Sequence, residues 1–375
     1  DAAPPAFSLQ SDLRGLRVSI PAVGWSKSPN QDGFLLIEGT LAAVPEITNL
    51  ELRGADLSAQ GRVQLTQNGG LETAVFDSVR IADWFNAPDT LRGRGAGQPV
   101  AVSISGGELD LRLAQLGGES GASGAGQGES GPMEIALDRL QVTEGIALTG
   151  FRGNFNGAGG FSGQFQAQMN GQTPVRGTVA PRNGRLAVRL QSEDAGGALR
   201  ASGFMENARG GTLDLTLIPT GNAGQFDGSL RVRSVRVQDA PTIAALLDAI
   251  SVVGLLQQLD GQGLAFDEVD ATFRLTPNQV IVSEASAVGP GLGISVDGIY
   301  TLAGKSIDLQ GVVSPFYLVN SIGSFLTRKG EGLIGFNFNI AGTVDTPQVL
   351  VNPLSALTPG MFREIFRRPA PELSQ

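Results

Sequence analysis

The residues best spaced for chemistry are the carboxylates Asp267, Glu268 and Asp270, close enough along the chain for general acid/base work. Alternating, outward-facing acids of this kind read instead as the solvated side of a strand. The chain has no histidine and no cysteine. That removes the commonest general base, every Ser-His or Cys-His nucleophile, thiolate metal sites and ordinary zinc sites. Gly304-Lys305-Ser306 ends like a phosphate-binding loop, but the upstream glycine that loop requires would fall on Ile299, and a strand follows where a helix is needed. The glycines of Arg92-Gly-Arg-Gly-Ala-Gly97 are wrongly spaced for a dinucleotide fingerprint, and Gly289-Pro-Gly-Leu-Gly293 is a turn. The residues predict neither an enzyme nor a cofactor.

What remains is the chemistry of surfaces. Near the C-terminus Met361, Phe362, Ile365 and Phe366 lie on one side of a helix, flanked by Arg363, Arg367 and Arg368. A basic amphipathic helix of this kind can lie in a membrane interface. The alternative is a helix that docks its apolar stripe on the sheet and shields an edge. With 27 basic and 36 acidic residues the chain is repelled by phosphodiester backbones, so no nucleic-acid partner is expected.

The elements that carry these residues are mostly strands. Glycine is about twice its ordinary share, 53 of 375 residues, while 41% of the chain is hydrophobic. That is the profile of many short strands joined by tight turns. Residues 1–116 form the N-terminal part of a sheet: Arg62 to Thr66 and Glu108 to Leu113 alternate, and Asn68-Gly69-Gly70 suits a hairpin. Ile81 to Phe85 reads as a short helical turn packed into a corner. Residues 117–131, rich in Gly and Ser, read as a flexible linker or loop. Residues 132–375 continue the sheet, with helices expected near 241–259, 315–326 and 359–368. Asp239 sits where the cap of the first helix belongs, and Pro241 at its start.

The alternation names an apolar face. Leu213, Leu215 and Leu217 share one side of a strand, as do Leu230 and Val232. Val235 and Val237 then take over on odd numbers, which predicts a bulge near Ser234. The same rule picks out Phe273, Leu275, Val280, Val282, Ile294, Val296, Ile307, Leu309, Phe336, Phe338 and Ile340. Short turns make the sheet mostly antiparallel. About twenty strands against three helices leave too little to cover that face, so the sheet must pack on another sheet or curl around its own interior. An elongated sheet of this size, on the order of 100 Å at about 4.8 Å per strand, could form a trough for acyl chains if its interior is wider than side chains can fill.

Several stretches resemble the C-terminal region of the AsmA-like superfamily of Gram-negative envelope proteins, above all its YhdP and TamB branches. They are Asp239-Ala-Pro with its helix, Gly261 to Phe266, Gly291 to Gly298, Asp308 to Asn320, and Asn352-Pro-Leu-Ser-Ala-Leu-Thr-Pro-Gly. Looser likeness reaches back to Gly54-Ala-Asp-Leu-Ser and Arg92 to Gly97; Ser321 to Leu326 departs from the family pattern. The resemblance implies a periplasmic segment that carries phospholipid along a hydrophobic groove between inner and outer membranes. It also implies a longer protein with an inner-membrane anchor, from which this chain would be a piece. An assembly factor for the outer membrane that carries no lipid is the competing expectation.

Overall fold

The computed structural model describes residues 3–20, 25–114, 131–157, 161–182, 185–220, 224–315, 317, 328–332, 334–358, 367–369 and 371. Twenty-two strands belong to one mixed, mostly antiparallel sheet, and two more form a separate ribbon. The expected mainly β, mostly antiparallel architecture is what the chain adopts. It divides into two compact units, residues 1–172 with 176–186 and residues 173–175 with 187–375. The division falls at β14; the linker or loop expected over 117–131 lies, but for Gly131, outside the described residues.

Unit 1 opens with β1 (Ala6–Ser11), followed by the ribbon β2 (Val18–Ile20) and β3 (Trp25–Lys27). An antiparallel meander follows: β4 (Phe34–Thr40), β5 (Glu46–Gly54), β6 (Leu57–Leu65), β7 (Leu71–Ile81) and β8 (Phe85–Arg92), with β1 against β4. In β6 Leu57, Ala59, Gly61 and Val63 are buried while Ser58, Gln60, Arg62 and Gln64 are exposed, the period of two that marks a sheet with one wet side. β9 (Ala101–Ser105) and β10 (Glu108–Asp110) both pair β8, and both run parallel to β11 (Met133–Gln141). Parallel pairing needs a long crossover, which the stretch between Asp110 and Met133 supplies. β12 (Ala147–Asn156) and β13 (Ser162–Met169) restore antiparallel order. The corner at Trp84 and Phe85 is a tight turn with both rings buried, 5.9 Å apart.

β14 (Thr173–Arg182) lies across the division. Unit 2 holds β15 (Arg185–Ser192, from Ala187 on), α1 (Ala195–Ala201), β16 (Ala208–Arg209), β17 (Thr212–Pro219), β18 (Phe226–Val237), α2 (Pro241–Ala249) and α3 (Val253–Asp260). The run from β19 (Leu264–Leu275) through β20 (Gln279–Val288), β21 (Leu292–Thr301), β22 (Ser306–Pro315), β23 (Phe336–Thr343) and β24 (Pro347–Asn352) is antiparallel throughout. A 3-10 turn, Pro353–Leu357, ends it, and Asn352 caps that turn through the Leu354 N–H at 3.1 Å.

The helix expected over 241–259 is two helices. Ser251 has φ +59°, and the β-branched pair Val252-Val253 followed by Gly254 gives the break little helical propensity to resist it. Pro241 does stand at the first turn, but the cap residue is Ala240, while Asp239 has φ +42° and makes no cap. Sequence reasoning missed α1, whose Asp194 carboxylate accepts from the Gly197 N–H at 2.8 Å. Gly196 lets α1 approach β16 closely: a Cβ there would sit 2.4 Å from the Arg209 backbone. Pro315, the expected start of the helix over 315–326, is instead the last residue of β22, and most of that helix and of the one over 359–368 lies outside the described residues.

Candidate functional site: an uncharged face of the sheet in unit 2

Cross-strand register places the expected apolar residues on one face. One row reads Leu190, Leu215, Leu230, Ala271, Ala285, Val296, Gly311, Phe338, Val351 from β15 to β24. Beside it run Val188, Leu217, Gly228, Phe273, Val282, Gly298, Leu309, Ile340, Val349, and on the other flank Ser192, Leu213, Val232, Val269, Ala287, Ile294, Val313, Phe336. Leu275, Val280 and Ile307 belong to the outermost row, between Phe226 and Gly342. No charged residue stands in these rows. Val269, Ala271, Ala285, Ala287 and Val313 were not singled out from sequence. The alanines carry a weak apolar signal, and β20 changes phase at Ser283-Glu284, where its register against both neighbours shifts.

The bulge expected at Ser234 is one part of a line across three strands. In β18 the buried positions pass from Val232 to Val235 and Val237, and Ser234 has φ +55°. In β19 the inward positions pass from the buried Leu264 and Phe266 to the odd-numbered, half-buried Val269. Because β18 and β19 each carry one extra residue at the same level, Arg233 faces Glu268 and Val235 faces Phe266 with no slip in register. Between β16 and β17 the phase change falls on Gly210 and Gly211, where φ values of +65° and +79° favour glycine.

Burial grades along the face. Leu213, Val232, Val235, Val237, Ile307, Phe338 and Ile340 are buried. Leu215, Leu217, Leu230, Phe273, Leu275, Val280, Val282, Ile294, Val296, Leu309 and Phe336 are only half-buried. Here the aromatic rings lie flat on the sheet. A Cβ on Gly228 would meet the ring of its cross-strand partner Phe273 at 2.3 Å, and one on Gly311 would meet Phe338 at 2.8 Å. In unit 1 the same device joins Gly163 to Phe155 and Gly177 to Phe165, with Cβ-to-ring distances of 2.4 and 2.2 Å.

The ion pairs on these strands are on the opposite face. Arg189 forks onto Asp214, and Arg231 pairs with Asp270 at 2.9 Å. Arg233 lies 3.5 Å from Glu268, and Lys329 binds Glu268 at 2.8 Å and Asp270 as well. The Arg189 guanidinium holds the Asp214 carboxyl below the usual range. Burial opposes ionisation of Asp270, but hydrogen bonds from Lys329 and Arg231 prevail and hold it low as well. Glu268 and Asp270 are therefore ion-pair acceptors, and Asp267 is exposed at the phase change.

Behind β21 and β22 that opposite face is covered. Ser295, Asp297, Gln310, Ser314 and Glu331 are buried. Arg367 pairs with Glu331 at 3.1 Å, both side chains about 3% exposed, and donates to Ser295 Oγ at 2.8 Å. Arg368 pairs with Asp308 at 2.7 Å, and its backbone N–H and C=O both bond the Gln310 side chain. This corrects one expectation: an arginine buried to that degree cannot present its charge to lipid headgroups. The other expected membrane contacts, Phe362, Arg363, Ile365 and Phe366, lie outside the described residues.

The turn Leu302 to Lys305 joins β21 to β22 as a hairpin, with Lys305 at φ +49°, so the Gly-Lys-Ser sequence cradles no phosphate. Among the described residues no helix is long and apolar enough to cross a membrane. Compared with known proteins, the chain matches no family model, no curated protein and no solved structure.

Proposed function

We propose that the uncharged face of unit 2 binds the acyl chains of phospholipid, and that the chain is a lipid-conducting segment of a larger envelope protein between inner and outer membranes, in the periplasm. The observation that carries the reading is the combination of no charge in the rows with half-burial along them. A folded sheet face that served only as core would bury Leu215, Leu230, Phe273 and Val296 as fully as Val232 or Val313. Water is a poor neighbour for that much apolar surface, at about 25 cal/mol per Å², and an apolar chain is a good one. The half-buried Phe273 ring, laid over Gly228, lowers the lining there. The likeness to AsmA-like proteins in the Asn352-Pro-Leu-Ser-Ala-Leu motif agrees with this reading.

Native mass spectrometry of the purified protein, with extraction and analysis of bound lipid, tests it. Co-purifying phospholipid is the expected result. A protein that stays lipid-free after incubation with phospholipid vesicles would instead be a scaffold.

A further inference from the structure

The inner face of unit 1 follows the same rule as that of unit 2, with one exception. Asp89 stands midway along β8 on the side of Phe85, Ala87 and Leu91. Its cross-strand partners are Phe76 on β7 and Ile104 on β9, and the adjoining positions are Val79 and Ala74 on β7 and Val102 on β9. Among the described strands of the large sheet in unit 1, no other charged residue takes an inward position, so no titratable group on β7 or β9 faces it. Its Oδ1 is buried and accepts no hydrogen bond among the described residues.

An acid at this point is not explained by the fold. Removing a carboxylate from water without a partner costs stability, and an apolar residue would suit Phe76 and Ile104 better. Burial pushes the carboxyl up to about 6, opposed only by the Thr90 backbone hydrogen bond, so at neutral pH most of the population still carries the charge. A single anionic acceptor set in an apolar surface is the complement of a cation carried on an apolar chain. We propose that Asp89 anchors the ammonium head of a cationic amphiphile whose chain lies along the inner face of unit 1. The proposal rests on the acyl-chain reading of unit 2, extended here to the face of unit 1, and adds the point at which one class of head group is recognised.

Dodecylamine and dodecanol, equal in length and different in charge, separate the two ideas. Their affinities are measured on the full chain at pH 7.5 and pH 5, in the wild type and in Asp89→Asn. At pH 7.5 the wild type should prefer the amine by at least about tenfold, the low end for a hydrogen bond to a charged group. That preference should shrink at pH 5, where the carboxyl is protonated, and vanish in Asp89→Asn with dodecanol binding unchanged. Binding of both ligands with an amine preference that is absent, or the same at both pH values, would overturn the anchor and leave the acyl-chain surface standing. Binding of neither would overturn both. The pH comparison uses the wild type alone, so the test survives a variant that does not fold.

Discussion

At the scale of single residues, the structure separates two kinds of buried charge. Glu331 and Arg367 pair with one another, so removing either takes from a buried charge its ion-pair partner. Arg367→Ala should cost about 3–5 kcal/mol, read as a fall in urea midpoint, whereas Arg367→Met with Glu331→Leu should recover much of it. Asp89 has no such answer, and its pH dependence has the opposite sign from that of Asp214. A carboxyl with a raised folded pKa adds no penalty below its unfolded value, accumulates one as pH rises through both values, and carries it in full above about 6. Asp89→Asn should therefore be more stable than wild type at pH 7.5, by about 1–2 kcal/mol after allowing for partial exposure, and nearly equal to it at pH 4. Chemical denaturation at the two pH values reads the difference directly; an equal gain at both would show a cause other than ionisation. Neither role was legible in the sequence. Asp89 is one acid among 36 acidic residues, and only register shows which face it takes. Arg367 meets Glu331 across 36 positions of chain, so its flanking of an apolar stripe suggested a membrane when its partner was another part of the protein.

At the scale of elements, the strand alternation was legible because each inward leucine or valine is separated by an outward polar residue. Thus Leu213, Leu215 and Leu217 were found, while Ala271 and Ala285, in the row of Leu215, were not. Photo-crosslinkers at Leu215 or Val235 should capture phospholipid, and those at Asp214 or Arg236, one residue along and on the opposite face, should not. Equal capture at all four would reject the face. The ring-over-glycine pairs give a sharper test. Gly228→Val puts a side chain where the Phe273 ring rests, so the ring must stand away from the sheet and occupy the space above it. The expected outcome is a protein that still folds, at a cost of about 1–3 kcal/mol for overpacking, but retains less lipid. Pairing it with Phe273→Ala should restore retention. The broken helix was harder to foresee: its apolar stripe runs through the break, and only the left-handed Ser251 divides it.

At the scale of the molecule, charge is sorted by face. The inward rows of unit 2 carry none, and Arg189, Arg231, Arg233 and Lys329 lie on the other side, paired with Asp214, Glu268 and Asp270. Binding of an uncharged alkyl chain should therefore be nearly independent of salt from low to high ionic strength, since there is no exposed charge to screen. It should also grow with chain length, toward about fourfold per added methylene if each buries about 0.8 kcal/mol. A series of alkanols in low and high salt measures both. A strong salt dependence would place the ligand on the charged face. The sorting was visible from sequence as a pattern of alternation. The parallel pairing of β11 with β9 and β10 was not, because the chain that makes it is a long Gly/Ser-rich segment with no periodicity to read.

The line of extra residues through Gly211, Ser234 and Asp267 is a set of compensating insertions. Each strand there carries a one-residue insertion relative to a simple period of two, and the insertions hold the register only together. Deleting Ser234 alone would act as a frameshift in space: Val235 and Val237 would turn outward while Phe266 and Leu264 stayed inward. Deleting Asp267 and one of the two glycines as well should act as suppressors, returning all three strands to one reading frame. Single deletions should abolish folding, and the triple deletion should restore a cooperative melt.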